Sequence, residues 1–80
     1  MKAHFTKLIK AGNKVREFNF RRLPSASNNL YHVDFSDDRG HRIIFKVQKE
    51  EGGQWKVLDQ SVPQWIFDAE PALHTAIEEE

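Results

Sequence analysis

From Leu30 to Asp59, apolar residues fall on every second position in three runs: Tyr31, Val33 and Phe35, then Ile43, Phe45 and Val47, then Trp55 and Val57. Alternation with a period of two predicts strands with one buried face. The runs are separated by Asp37-Asp38-Arg39-Gly40 and Lys49-Glu50-Glu51-Gly52, each ending in glycine. A three-residue hairpin loop is commonly a type I turn closed by one left-handed residue, where glycine escapes the Cβ clash. Placing Gly40 and Gly52 there sets both registers. Asp37 then faces His41, Phe35 faces Ile43, Val33 faces Phe45 and Tyr31 faces Val47. In the second hairpin Lys49 faces Gly53, Val47 faces Trp55 and Phe45 faces Val57. All the inward pairs are apolar, whereas a slip of one residue sets Phe35 against Arg42 and mixes the faces. Tyr31, Val33, Phe35, Ile43, Phe45, Val47, Trp55 and Val57 are therefore the expected core face.

Two further strands precede this unit. Phe5 to Lys10 and Lys14 to Leu23 flank Gly12-Asn13, which is good two-residue hairpin chemistry. That loop pairs Phe5 with Phe20 but sets Lys7 against Phe18; a three-residue loop pairs Leu8 with Phe18 instead. The pattern leaves both registers open. Phe18 and Phe20 belong to the core face in either, with Glu17, Asn19 and Arg21 opposite. Residues 24–29, Pro-Ser-Ala-Ser-Asn-Asn, read as linker.

The C-terminal stretch changes period. Trp65/Ile66, Ala69, Ala72/Leu73 and Ala76/Ile77 recur at helical spacing. Ser61 and Gln64 fit a capping box, and Pro63 suits a first turn. The stripe runs through Pro71, so either one bent helix forms or a second begins near Pro71. Glu78-Glu79-Glu80 opposes the helix dipole and is expected to fray. The expected architecture is a single α+β domain over residues 1–80. A five-stranded antiparallel β-meander (about 4–10, 14–22, 30–36, 41–49 and 53–59) carries a C-terminal, Pro-kinked helix (about 62–78) on its aromatic face. The other face is left to water.

Composition excludes several chemistries. The chain has no cysteine, which removes disulfides, thiolate zinc sites and cysteine nucleophiles together. No apolar run reaches membrane-spanning length, and no apolar segment follows the basic start, so a cytoplasmic location is expected. His4, His32, His41 and His74 lack metal-ligand spacing. Asp37-Asp38 is ordinary turn chemistry, and Gly52-Gly53 is a turn with no phosphate-loop pattern around it. Neither catalysis nor a cofactor is expected.

Charge points to binding. Residues 1–49 hold eleven Lys/Arg against four acids, and residues 50–80 hold one Lys against eight. A net zero thus hides halves of +7 and −7. On the outer face the expected registers set His32 beside Lys46, Lys46 beside Lys56, Asp34 beside Ile44 and Ile44 beside Leu58. The result is an anion-attracting face, with Arg16, Arg21, Arg22, His32, Arg42, Lys46 and Lys56 as candidate contacts and Ile44/Leu58 as an apolar island. Phe67, Pro71 and His74 recur at i, i+4 and i+7 on the outer helix side, a second candidate patch, suited to a protein partner or a second copy of the chain.

The order of elements, a meander followed by one helix, is similar to PUR-type and whirly-type single-strand nucleic-acid binders. Lys10-Ala11-Gly12 before a basic strand resembles the opening of a PUR repeat. The resemblance implies single-strand binding but carries no binding residue onto this sequence, and a fold does not by itself imply a function. A non-catalytic protein-interaction module is the first expectation. Weak, sequence-independent single-strand nucleic-acid binding is the alternative.

Overall fold

The computed structural model describes residues 3–24, 29–58 and 61–80. Five strands, β1 (His4–Ala11), β2 (Lys14–Arg22), β3 (Leu30–Ser36), β4 (Arg42–Lys49) and β5 (Trp55–Val57), form one antiparallel sheet in chain order. Two helices follow, α1 (Gln64–Asp68) and α2 (Glu70–Glu78). The expected α+β meander is what forms, and its faces fall as the alternation predicts. Phe18, Phe20, Tyr31, Val33, Phe35, Phe45, Val47, Trp55 and Val57 are buried under Ile66, Ala69, Leu73, Ala76 and Ile77 of the helices. Ile9 and Ala11 extend this core to β1. The strands stay paired because the aromatic side of the sheet finds a helical cover; a lone meander would leave these rings in water.

The β3–β4 register is the expected one, with Phe35 on Ile43, Val33 on Phe45 and Tyr31 on Val47. Asp37 Oδ1 accepts from the backbone N–H of Arg39 and His41, closing the turn that Gly40 completes at φ +81°. At β1–β2 the two-residue loop wins: Gly12 and Asn13 both take positive φ, Phe5 pairs with Phe20 and Lys7 with Phe18. A Cβ on Gly12 would lie 2.8 Å from Trp65 Cδ2, so this glycine is required twice over.

Three expectations are corrected. In the β4–β5 hairpin Gly53, not Gly52, takes the left-handed conformation, and Glu50 closes the loop against Gln54. Lys49 therefore faces Trp55 and Val47 faces Val57. Moving the loop by one residue shifts each partner by two along β5, so the faces survive while the pairs change. Secondly, of the two outcomes open at Pro71 the stretch takes the second, two helices, and the details around it change. Pro71 stands in the first turn of α2, where its missing N–H has no intrahelical use, and Ala69 breaks the run at φ −90°, ψ 0°. The N-cap of α1 is Pro63, so the Ser61 capping box does not form, and Ala72 leaves the stripe for solvent. Thirdly, the acidic end is tied down. Glu78 Oε2 accepts from Trp55 Nε1 at 2.9 Å, and Glu80 lies 3.0 Å from Lys7 Nζ. Most of the linker, residues 25–28, and the expected end of the last strand at Asp59 fall outside the described residues.

Candidate interaction surfaces

The charge split is largely internal compensation. Lys7 meets Glu79 and Glu80, Lys49 meets Glu78, and Lys56 meets Glu70. Acids of α2 thus answer lysines of the sheet. The Glu80 carboxylate raises the Lys7 pKa, and the Trp55 indole N–H together with Lys49 lowers that of Glu78. In the turns, Lys14 and Arg16 converge on Asp38 at 2.7 and 3.2 Å and lower its pKa, Lys14 contributing most.

Candidate anion contacts divide accordingly. Arg16 is not on the outer face at all. Its side chain is 9 % exposed, its guanidinium lies 4.4 Å from the Trp65 ring, and Nε donates to the Ala11 carbonyl at 2.8 Å. The two-residue loop turns it inward opposite Ile9, where it covers the open end of the core. Arg22 also faces inward, opposite Tyr31. Arg42 binds Asp34, and His32 Nε2 is 3.6 Å from the other oxygen of the same carboxylate. Lys56 pairs with Glu70 across 3.8 Å and stands opposite Gln48; it does not meet Lys46.

What remains is one transverse row. His4 faces Arg21, Arg21 faces His32, His32 faces Lys46, and Leu58 donates its N–H to the Lys46 carbonyl on the next strand. At normal strand spacing the four basic side chains span about 14 Å. His4, Arg21 and Lys46 have no side-chain partner among the described residues. Beside this row runs a hydrogen-bonded ladder: Thr6 Oγ1 donates to Asn19 Oδ1, and Asn19 Nδ2 donates to Asp34 Oδ1. The ladder and the His4, Arg21 and His32 part of the row border a shallow depression of about 590 Å³.

The apolar residues of this face are the feature that sequence reading only half found. Leu8, Val15, Ile44 and Leu58 are 71, 62, 51 and 45 % exposed, and all four stand on the outer face. Ile44 and Leu58 are diagonal neighbours lining one hollow with Lys46. Leu8 and Val15 form a second diagonal pair near the Gly12-Asn13 loop. Their placement was readable only once that loop's length was known, because the three-residue alternative points Leu8 at Phe18.

The helix patch is partly used within the fold. Phe67, Pro71 and His74 do border one groove, about 400 Å³, beside Trp55 and Lys56. Phe67, however, packs half-buried against the core, and His74 Nδ1 lies 3.4 Å from the Trp55 backbone N–H. Glu70 Oε2 accepts from the Val57 N–H at 2.7 Å. Trp55 and Val57 are the β5 residues whose amides point away from β4, so α2 caps the free edge of the sheet on that side. Only Pro71 of the three is exposed. His41 is an exposed turn residue near Asp37.

No group of three or more His, Asp or Glu side chains able to hold a metal ion occurs among the described residues. Among the described residues no helix is long and apolar enough to cross a membrane. Neither a family model, a curated protein nor a solved structure matches the chain.

Proposed function

We propose that this domain is a non-catalytic protein-interaction module whose outer sheet face binds an acidic protein segment carrying bulky apolar side chains. One observation carries the reading: the exposed Ile44/Leu58 pair adjoins the unpaired cations of the His4–Arg21–His32–Lys46 row. Apolar side chains supply burial, and adjacent cations supply orientation and encounter rate.

Nucleic acid is the competing occupant, because the same row attracts phosphate. The aromatic rings of the sheet count against it. Phe18, Phe20, Tyr31, Phe35, Phe45 and Trp55 are buried on the helix side, so among the described residues the only rings on the cationic face are the small imidazoles of His4 and His32, not the larger platforms that single-strand binders use.

Selection of displayed random peptides on the immobilised domain tests the reading. Enriched peptides are expected to combine Asp/Glu with Leu, Ile or Phe. Arg21→Glu/Lys46→Glu and Ile44→Asp/Leu58→Asp should each weaken a selected peptide about tenfold or more, while Arg39→Glu, in the distant turn, should not. Failure to enrich such peptides, or binding indifferent to both double variants, overturns it. Binding of single-stranded oligothymidylate that falls steeply with salt would favour the nucleic-acid reading.

A further inference from the structure

The two edges of the sheet are finished differently. On β5, the outward amides of Trp55 and Val57 meet His74 and Glu70. On β1, the residues whose amides point away from β2 are His4, Thr6, Leu8 and Lys10. This follows from the two-residue loop, which makes Ala11 and Lys14 a hydrogen-bonded pair, and from the Arg22 N–H donating to Ala3 at the other end. None of these outward amides has a partner among the described residues. The open edge is the full eight-residue strand, and it borders a groove of about 380 Å³ whose far wall is Ala72, Thr75 and Ala76 of α2 and Glu79 just past its end. Ala72, Thr75 and Ala76 are short and Glu79 is drawn to Lys7, which leaves room beside the strand for another.

We propose that β1 pairs antiparallel with β1 of a second copy of the chain, centred on Leu8, joining two sheets into one. Free amides, opposed charges and the exposure of Leu8 together favour this register. Only even-numbered residues present free amides, so the pairing must set even against even. Centring on Lys7 would set lysine against lysine. Centring on Leu8 sets Leu8 against Leu8, Thr6 against Lys10, Lys7 against Ile9 and Phe5 against Ala11, with no like charges opposed. Leu8, the most exposed large apolar side chain, is then covered by its own copy. Lysines on an edge strand commonly deter pairing, but Lys7 brings its own counter-charges, Glu79 at 3.6 Å and Glu80 at 3.0 Å. About six new backbone hydrogen bonds would form. The β1 edge meets the cationic row only at His4, beyond the segment from Phe5 to Ala11 that would pair, so this dimer stands whether or not an acidic segment binds there.

The absence of cysteine makes the register directly testable. Facing Leu8→Cys residues would have Cα atoms about 5.5 Å apart, within disulfide reach. Thr6→Cys would be about 13 Å or more from its copy and out of reach. Under mild oxidation Leu8→Cys should give a covalent dimer and Thr6→Cys should not. By sedimentation equilibrium the full-length unsubstituted chain should dimerise. Leu8→Pro should weaken the dimer about tenfold or more with an unchanged circular dichroism spectrum, because the amide it removes points away from β2. A chain that sediments as a monomer, as it would if the edge were kept for a strand of another protein, overturns the proposal. So do cysteines that cross-link equally at both positions or at neither, and these outcomes do not depend on how Leu8→Pro folds.

Discussion

Arg16 and Arg21 lie on one strand and look interchangeable by charge, yet the structure gives them opposite roles. Replacing Arg16 by Met keeps the length of the stem and removes three interactions. The first is the charged hydrogen bond from Nε to the Ala11 carbonyl, worth about 1.5–3 kcal/mol. The second is the guanidinium stacked at 4.4 Å on Trp65, about 0.5–2 kcal/mol when partly desolvated. The third is the ion pair with Asp38, which is exposed to solvent and so adds little. These share one side chain and do not simply add, so the expected loss is about 2–4 kcal/mol. For a domain of this size that lowers Tm by roughly 10–25 °C. Arg16→Lys keeps the charge but neither the planar stack nor the Nε donor, and should lose about 1.5–3 kcal/mol. Arg21→Met should stay within about 0.5 kcal/mol, its side chain being exposed and unpaired. Urea unfolding followed by circular dichroism and tryptophan fluorescence measures all three. Equal stabilities for Arg16→Met and Arg21→Met would refute the inward placement of Arg16, and with it the two-residue register of the first hairpin.

Gly12→Ala should destabilise by about 2–5 kcal/mol, strained backbone and collision with Trp65 acting together, against about 1–2 kcal/mol for Gly40→Ala, whose surroundings are open; chemical denaturation of the pair checks the difference. Glu78 and Asp38 have lowered folded-state pKa values, so their contribution is present above the unfolded carboxylate range and is lost as pH falls from that range through the lower folded values. A pH series of thermal melts should therefore show an acid limb that is shallower in Glu78→Gln. Lys7 is raised, and its contribution should vanish only as pH climbs through its folded value, above the ordinary lysine range. Glu70→Ala should cost about 1–2 kcal/mol by stranding the Val57 amide, and that amide should exchange hydrogen faster while those of the β3–β4 pairs do not.

How much of this was legible depends on where the deciding contact lies along the chain. Asp37 and Gly40 sit inside the turn they control, so the β3–β4 register could be read directly. Gly52 and Gly53 are adjacent and either can be left-handed, so the sequence there allowed two loops. The faces survived because the two loops differ by an even step. The first hairpin resisted because its inward positions include Lys7 and Arg16, which spoil any apolar pairing. Their justification is distant: Glu79 and Glu80 for one, Trp65 for the other. For the same reason the list of free cations was too long. Which basic side chains are already paired is settled by acids far along the chain, such as Glu70 for Lys56, and no local pattern announces them.

That distribution of acids also explains why the binding surfaces fall where they do. Glu70 and Glu78 face β5: one covers a backbone amide, and the other holds the Trp55 indole and lies near Lys49. Glu79 and Glu80 reach across to Lys7 on β1. All four act on the inner side or the β5 edge, and none can reach the outer face through the sheet. On the outer face Arg42 and His32 share Asp34, while Arg21 and Lys46 have no side-chain partner and the outward β1 amides meet no carboxylate among the described residues. A helix that carried its acids half a turn further round would close the first edge and leave the fifth open. The side chains that stabilise this fold therefore leave two regions without partners, the cationic face beside Ile44 and Leu58 and the backbone of β1, and those are where association should occur.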